Sequence, residues 1–215
     1  MNASFWSGVQ VSVQTALSIA NTITGITLAN PAVATYSGSD PANGDIVLFA
    51  VSGMPQLNGT VRRVANVNTT ANTFEIEGLD STLFGAFSSG SFQTVTLGTS
   101  MTNIIDVSPS GGDPEFKDLT TIHDSSIRKQ VPVIAGPLTF AMTGLFDPSD
   151  PAMAELFKAT QSLTTRVFRF VFSNGQRILF NGFVSATGVP TGAAQDSVQT
   201  PISIAVQGLP TAYAS

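Results

Sequence analysis

The chain contains no cysteine, and that removes a disulfide framework, a thiolate metal site and a cysteine nucleophile together. It has a single histidine, His123, so a metal centre built on two or three imidazoles is excluded as well. Charge is scarce. Asp, Glu, Lys and Arg make up 11% of the 215 residues, under half the usual share of about 25%. Only nine of these are basic and the net charge is −5, which argues against a phosphate-binding surface. The first basic residue is Arg62, so the N-terminus lacks the charged region of a signal peptide. No apolar run approaches the ~20 residues of a membrane-spanning helix. The local signatures GxGxxG, GxxxxGK[ST] and GxSxG are absent too, leaving dinucleotide, P-loop and α/β-hydrolase readings without support.

What is present is β-forming material. The sequence has 25 Thr, 23 Ser and 19 Gly, and 42% of its residues are hydrophobic, enough for a substantial core. Residues 8–14 alternate Val9, Val11 and Val13 with polar positions, the pattern of a strand with one buried face. Four short strands are expected at 32–36, 45–51, 60–67 and 74–79. Turn clusters part them, among them Asn43-Gly44 and Asn58-Gly59. Strands this short and this directly linked point to a small barrel or sandwich, not to βαβ units. Further strands are expected at 92–97, 102–107 and 138–143. A long polar passage over 108–130, with Gly111-Gly112 and Asp113, Glu115, Lys117, Asp118, Arg128 and Lys129, reads as a loop.

One helix is expected. Asp150 supplies an N-cap, Pro151 fits the first helical position, and Met153, Leu156, Phe157 and Thr160 share one face. A hairpin follows, with Phe168, Phe170 and Phe172 on one side. Asn174-Gly175 is expected to form a type I′ turn, and residues 177–184 return antiparallel. The last expected strand, 201–206, aligns Ile202, Ile204 and Val206.

Catalytic constellations are weak. His123, Asp124 and Ser125 gather triad residue types, but triads are built from distant segments and a polar loop is the better reading. Glu75 and Glu77 share one strand and do not flank a cleft, so a solvated strand face opposite Phe74 and Ile76 is expected. Asp113, Glu115 and Asp118 lack the glycine and distal glutamate of a calcium loop. Arg62-Arg63 is too short for a nucleic-acid patch. No catalytic, cofactor-binding or metal residue is assigned.

Residues 131–210 carry an ordered pattern. A strand at 138–144 leads through Asp147, Asp150 and Pro151 into the helix. The Arg166 strand, the Asn174-Gly175 turn, a return containing Phe180, Gly182 and Val184, and a terminal strand ending in Gly208, Leu209 and Pro210 complete it. This order resembles the major tail tube protein of long non-contractile-tailed bacteriophages. The segment 30–91 resembles a small β-barrel insert found in some phage structural proteins.

The resemblance implies a mainly-β fold: a tail-tube-type β-sandwich or partial barrel with one flanking α-helix, plus a small inserted β-barrel-like domain. It divides the chain into a discontinuous tube domain, 1–29 and 92–215, and an insert, 30–91. It implies a non-enzymatic virion protein that assembles into hexameric rings stacked as a conduit for DNA ejection. The implied partners are further copies of itself, the tape-measure protein, and tail tip or hub and tail terminator proteins. Genomic DNA would pass through without specific binding, and neither a membrane nor a cofactor is implied. Its expected place is the virion tail, and the host cytoplasm during assembly. Asp113, Glu115, Lys117, Asp118, Arg128 and Lys129 are the candidate contacts between subunits or rings. Alternative readings are a minor tail or receptor-binding module, the tube protein of a related secretion machine, or a glycan-active enzyme using Glu75 or Asp45.

Overall fold

The computed structural model describes residues 7–123 and 127–214. Among the described residues it has fifteen strands and one helix, and most strands belong to a single continuous antiparallel system. The first part of that system closes on itself. Strands β2 (Asn21–Ile26), β3 (Ala32–Ser37), β6 (Thr73–Ile76), β5 (Val61–Asn68), β4 (Ile46–Ser52) and β7 (Ser89–Met101) pair in that order, and β7 returns to β2. The result is a closed six-stranded barrel. Its wall includes β2, which precedes the 30–91 segment, and the first part of β7, which runs across that segment's end.

Alternation fills this barrel. Ala32, Ala34 and Tyr36 of β3 point inward with Val47, Phe49 and Val51 of β4, and with Phe74 and Ile76 of β6. The aromatic rings interlock at its centre: Phe74 meets Phe92 edge-on at 5.1 Å, and Tyr36 meets Phe92 edge-on at 5.7 Å. Gly90 is required at the closure, because a Cβ there would sit 2.7 Å from Val51 Cγ1 and 2.8 Å from the Ala50 carbonyl oxygen.

Beyond Thr94, β7 leaves the barrel and pairs with β1 (Gln10–Leu17). The sheet continues through β12 (Thr165–Val171), β13 (Arg177–Ala186), β14 (Gln199–Val206), β11 (Thr139–Leu145) and β8 (Ile104–Ser110). Strand β15 (Thr211–Tyr213) adds to the first part of β13, a pairing the sequence pattern did not reveal. Helix α1 (Pro151–Ser162) starts as expected, with the Asp150 carboxylate accepting from Ala152 N at 2.8 Å. The helix buries Ala152, Met153, Leu156 and Ala159 against the sheet, where Val11, Val13, Phe168, Phe170, Phe180 and Ile204 form the second core.

The β12–β13 turn departs from expectation. Gly175 alone takes a positive φ, at 86°, whereas a type I′ turn needs Asn174 to do so too. Gly175 N donates to Phe172 O at 2.9 Å and Phe172 N donates to Gln176 O at 2.8 Å. This is a type I turn closed by a glycine bulge, which is why Val171 pairs with Arg177 across a longer loop. Asn174 instead accepts from Gln176 N through its side chain.

Candidate assembly surface

The passage over 108–130 is not a plain loop. Strand β8 runs on to Ser110, and then β9 (Pro114–Asp118) pairs with β10 (Gln130–Ala135) as an isolated two-stranded arm. Every residue of both strands is exposed. The register sets Val131 opposite Lys117 and Pro132 opposite Phe116. Successive residues of a strand face opposite ways, so both faces of the arm mix apolar and charged groups. With no buried face there is no clean alternation, and the strands were invisible to periodicity.

The candidate contact residues are accordingly brought onto one element. Asp113 precedes β9, Glu115, Lys117 and Asp118 lie on it, and Arg128 and Lys129 lead into β10. The Asp118 carboxylate accepts from the Thr120 amide at 2.8 Å and from its hydroxyl at 2.5 Å, which holds its pKa below the usual carboxylate value. Leu119 N donates to Lys129 O, and Lys129 N to Thr120 Oγ1, so the arm is hydrogen-bonded beyond its strands. What it lacks is a covering layer. Phe116 is 58% exposed and Ile122 98%, with Val133 and Ile134 also in solvent. A lone two-stranded hairpin is marginal in water and gains stability from packing on something else.

A second open feature lies where the sheet begins and ends. Among the described residues, the second part of β7 pairs with β1 alone and β8 pairs with β11 alone. Residues 102–103 join these two strands, so the sheet curls round until its edges face across a cleft of ≈ 720 Å³. Val9, Val11, Met101, Ile104 and Val107 line that cleft. Strand edges of this kind are templates for pairing with another chain.

The residues considered for chemistry are dispersed. Glu75 accepts from Asn66 Nδ2, while Glu77 holds the Arg63 guanidinium through both its oxygens and is thereby kept more acidic than usual. The Asp45 carboxylate accepts from Ala42 N in a turn. His123 is exposed, and Asp124 and Ser125 lie outside the described residues. No group of three or more metal-ligating side chains occurs among the described residues. No helix among them is long and apolar enough to cross a membrane.

Sequence reasoning missed the joint between barrel and sheet. There Ile46 and Val61 of the barrel bury Val95, Val167, Leu179 and Tyr213. Tyr213 Oη accepts from Arg63 N at 2.8 Å, and its ring lies beneath the Arg63 guanidinium at 4.8 Å. A tyrosine 150 positions away from its partner leaves no local signal.

No curated protein matches the chain. A protein-family comparison matches residues 52–215 to the phage tail tube protein family, TTP. That match spans three strands of the barrel (β5, β6 and β7), the curled sheet apart from β1, the helix and the exposed arm; the chain therefore belongs to the phage tail tube protein family, and it is a virion tail component with a structural role.

Proposed function

We propose that the chain forms hexameric rings that stack into the tail tube and conduct DNA during ejection. The observation that carries this reading is the β9–β10 arm, an ordered hairpin with exposed apolar residues and no covering layer of its own. A second copy is the occupant that supplies that layer. Asp113, Glu115, Lys117, Asp118, Arg128 and Lys129 give the arm both signs of charge, which suits complementary contact between identical chains. The facing edges of β7 and β8 supply the strand pairing needed to join curled sheets into one inner barrel, and closure then removes exposed edges.

The barrel of β2–β7 decorates the outside as an inserted unit. Its two ends meet, since Leu17 pairs with Val95 and Ser18 N donates to Thr94 O at 2.9 Å. Six copies at −5 each carry about −30 formal charges per ring, a field that keeps phosphates from sticking to the wall. Tape-measure, tip or hub and terminator proteins would meet the lumen and the two ends. Assembly would take place in the host cytoplasm, and the role is mechanical, without catalysis.

Negative-stain microscopy tests the reading. The purified chain is expected to form hollow tubes or stacked rings, and the Phe116→Asp variant is expected to stay dispersed while keeping its circular dichroism. A wild-type chain that never forms rings, or a Phe116→Asp variant that assembles equally well, contradicts it.

A further inference from the structure

The chain crosses between sheet and barrel at two places, through residues 18–20 on the way in and residues 94–95 of β7 on the way out. The two crossings lie side by side. Ser18 N donates to Thr94 O at 2.9 Å, and Thr94 N donates to Ser18 Oγ at 2.9 Å. Adjacent strands make one line of attachment, and a body held along one line can swing about it. The apolar joint of Ile46 and Val61 with Val167 and Leu179 keeps barrel and sheet together. Hydrophobic contact is non-directional, so it favours proximity without fixing an angle.

A third attachment lies off that line. After β14 the chain runs against the Asn58-Gly59 turn of the barrel, where the two backbones meet closely. A Cβ on Gly208 would sit 3.2 Å from Gly59 O, and one on Gly59 would sit 3.4 Å from Gln207 O. Both glycines have positive φ, 102° at Gly208 and 72° at Gly59, so a side chain at either would be strained as well. The chain then returns as β15, which pairs with β13 and sets Tyr213 opposite Arg177. Tyr213 Oη accepts from Arg63 N at 2.8 Å and is hydrogen-bonded to the Arg62 guanidinium. The Tyr213 ring lies 4.8 Å beneath the Arg63 guanidinium, which Glu77 holds in place through both its oxygens. Residues 207–213 thus meet one barrel hairpin twice, at its turn and on β5. Arg63 pairs with Ile46, and the next residue of β4, Val47, pairs with Thr94. The grip on β5 is therefore two strands from the crossing, about 10 Å at ordinary strand spacing. Directional contacts that far off the line oppose the swing.

We propose that residues 207–213 are a clasp that sets the angle of the barrel on the sheet, with Tyr213 as its positioning residue. Tyr213 acts through the Arg63 amide and the two guanidiniums, while the Gly59 and Gly208 contact keeps the connecting segment against the turn. The clasp is a property of the single chain and stands whether or not the chain forms tubes. On a tube it presents every barrel at the same angle.

The test is nuclear magnetic resonance on the dispersed full chain, for the wild type, Tyr213→Phe and Tyr213→Ala. Circular dichroism first checks that each variant is folded. Residual dipolar couplings of barrel and sheet are expected to fit one alignment frame in the wild type. In Tyr213→Ala the barrel couplings should shrink and require a frame of their own. Tyr213→Phe keeps the ring and loses the acceptor, so exchange of the Arg63 amide should speed up about tenfold. Amides of Phe49, Phe74 and Phe92 should exchange as slowly in both variants as in the wild type. A single frame for Tyr213→Ala overturns the proposal, and so does a wild type that already needs two. If Tyr213→Ala does not fold, Tyr213→Phe decides, and an unchanged Arg63 amide overturns the proposal. Faster exchange at Phe49, Phe74 and Phe92 along with Arg63 also overturns it, because Tyr213 then supports the barrel core and not its angle.

Discussion

The barrel of β2–β7 and the β9–β10 arm are built from the same unit, an antiparallel hairpin, and end in opposite situations. Each barrel strand has a neighbour on both sides, and its inward residues, Phe49, Phe74 and Phe92 among them, are at most 1% exposed. The arm has two strands, two free edges and no buried residue. Closure makes the first region self-sufficient. The second is complete only against another surface. One chain thus holds a region whose every strand is paired on both sides and, about twenty residues further on, an element with neither a covering layer nor a third strand.

Removing the barrel should produce the largest change. Excising residues 19–93 and joining Ser18 to Thr94 through a short Gly-Ser turn respects the existing pairing of Leu17 with Val95. It uncovers Val167 and Leu179, at about 1.5–3 kcal/mol for each apolar side chain exposed, so Val167→Thr and Leu179→Gln belong in the same variant. Electron microscopy should then show tubes of unchanged inner diameter and smaller outer diameter. A widened lumen, or no rings, would assign the barrel to the tube wall.

Single substitutions sharpen the contrast. Phe74→Ala should cost the dispersed protein about 3–5 kcal/mol in denaturant unfolding, because the closed barrel cannot collapse into the cavity. Phe116→Ala, at an exposed position, should change that stability by about 0.5 kcal/mol or less and yet weaken assembly. Equal costs at the two positions would mean that the arm already packs within the monomer.

Such contrasts were only half legible in the sequence. The barrel announces itself because short β-forming runs are parted by turn clusters with Asn-Gly pairs, and within β3 the buried residues Ala32, Ala34 and Tyr36 recur with period two. The return of β7 to β2 joins residues about 70 apart, and no local pattern encodes it. In the arm, Glu115, Phe116 and Lys117 follow one another with no face turned to a core, so nothing selected an alternation. The candidate contact residues were found by their charge, while the strands holding them were not. The joint between barrel and sheet was hidden for a third reason: Ile46 and Val61 on β4 and β5 meet Val167, Leu179 and Tyr213 on β12, β13 and β15 only through tertiary packing.

The smallest effect expected is a pH dependence confined to the barrel. Burial, followed by the 2.7 Å hydrogen bond to Asp40 and that residue's charge, raises the Tyr36 pKa to about 12 from the usual 10. Its contribution is fully present below pH 10 and is lost as pH rises from there through about 12, because the unfolded chain ionises first. Tyr36→Phe should flatten that alkaline limb and cost about 1 kcal/mol at neutral pH through the lost hydrogen bond. An unchanged alkaline limb would shift the assignment to Tyr213, whose pKa burial also raises.

Amide hydrogen exchange on dispersed and assembled protein compares the two regions under one condition. If the arm waits for a neighbour, the amides of residues 115–118 and of Gln130, Val131, Val133, Ile134 and Ala135 should gain strong protection on assembly, while those of Phe49, Phe74 and Phe92 in the barrel exchange equally slowly in both states. Equal protection of the arm before and after assembly would contradict the account.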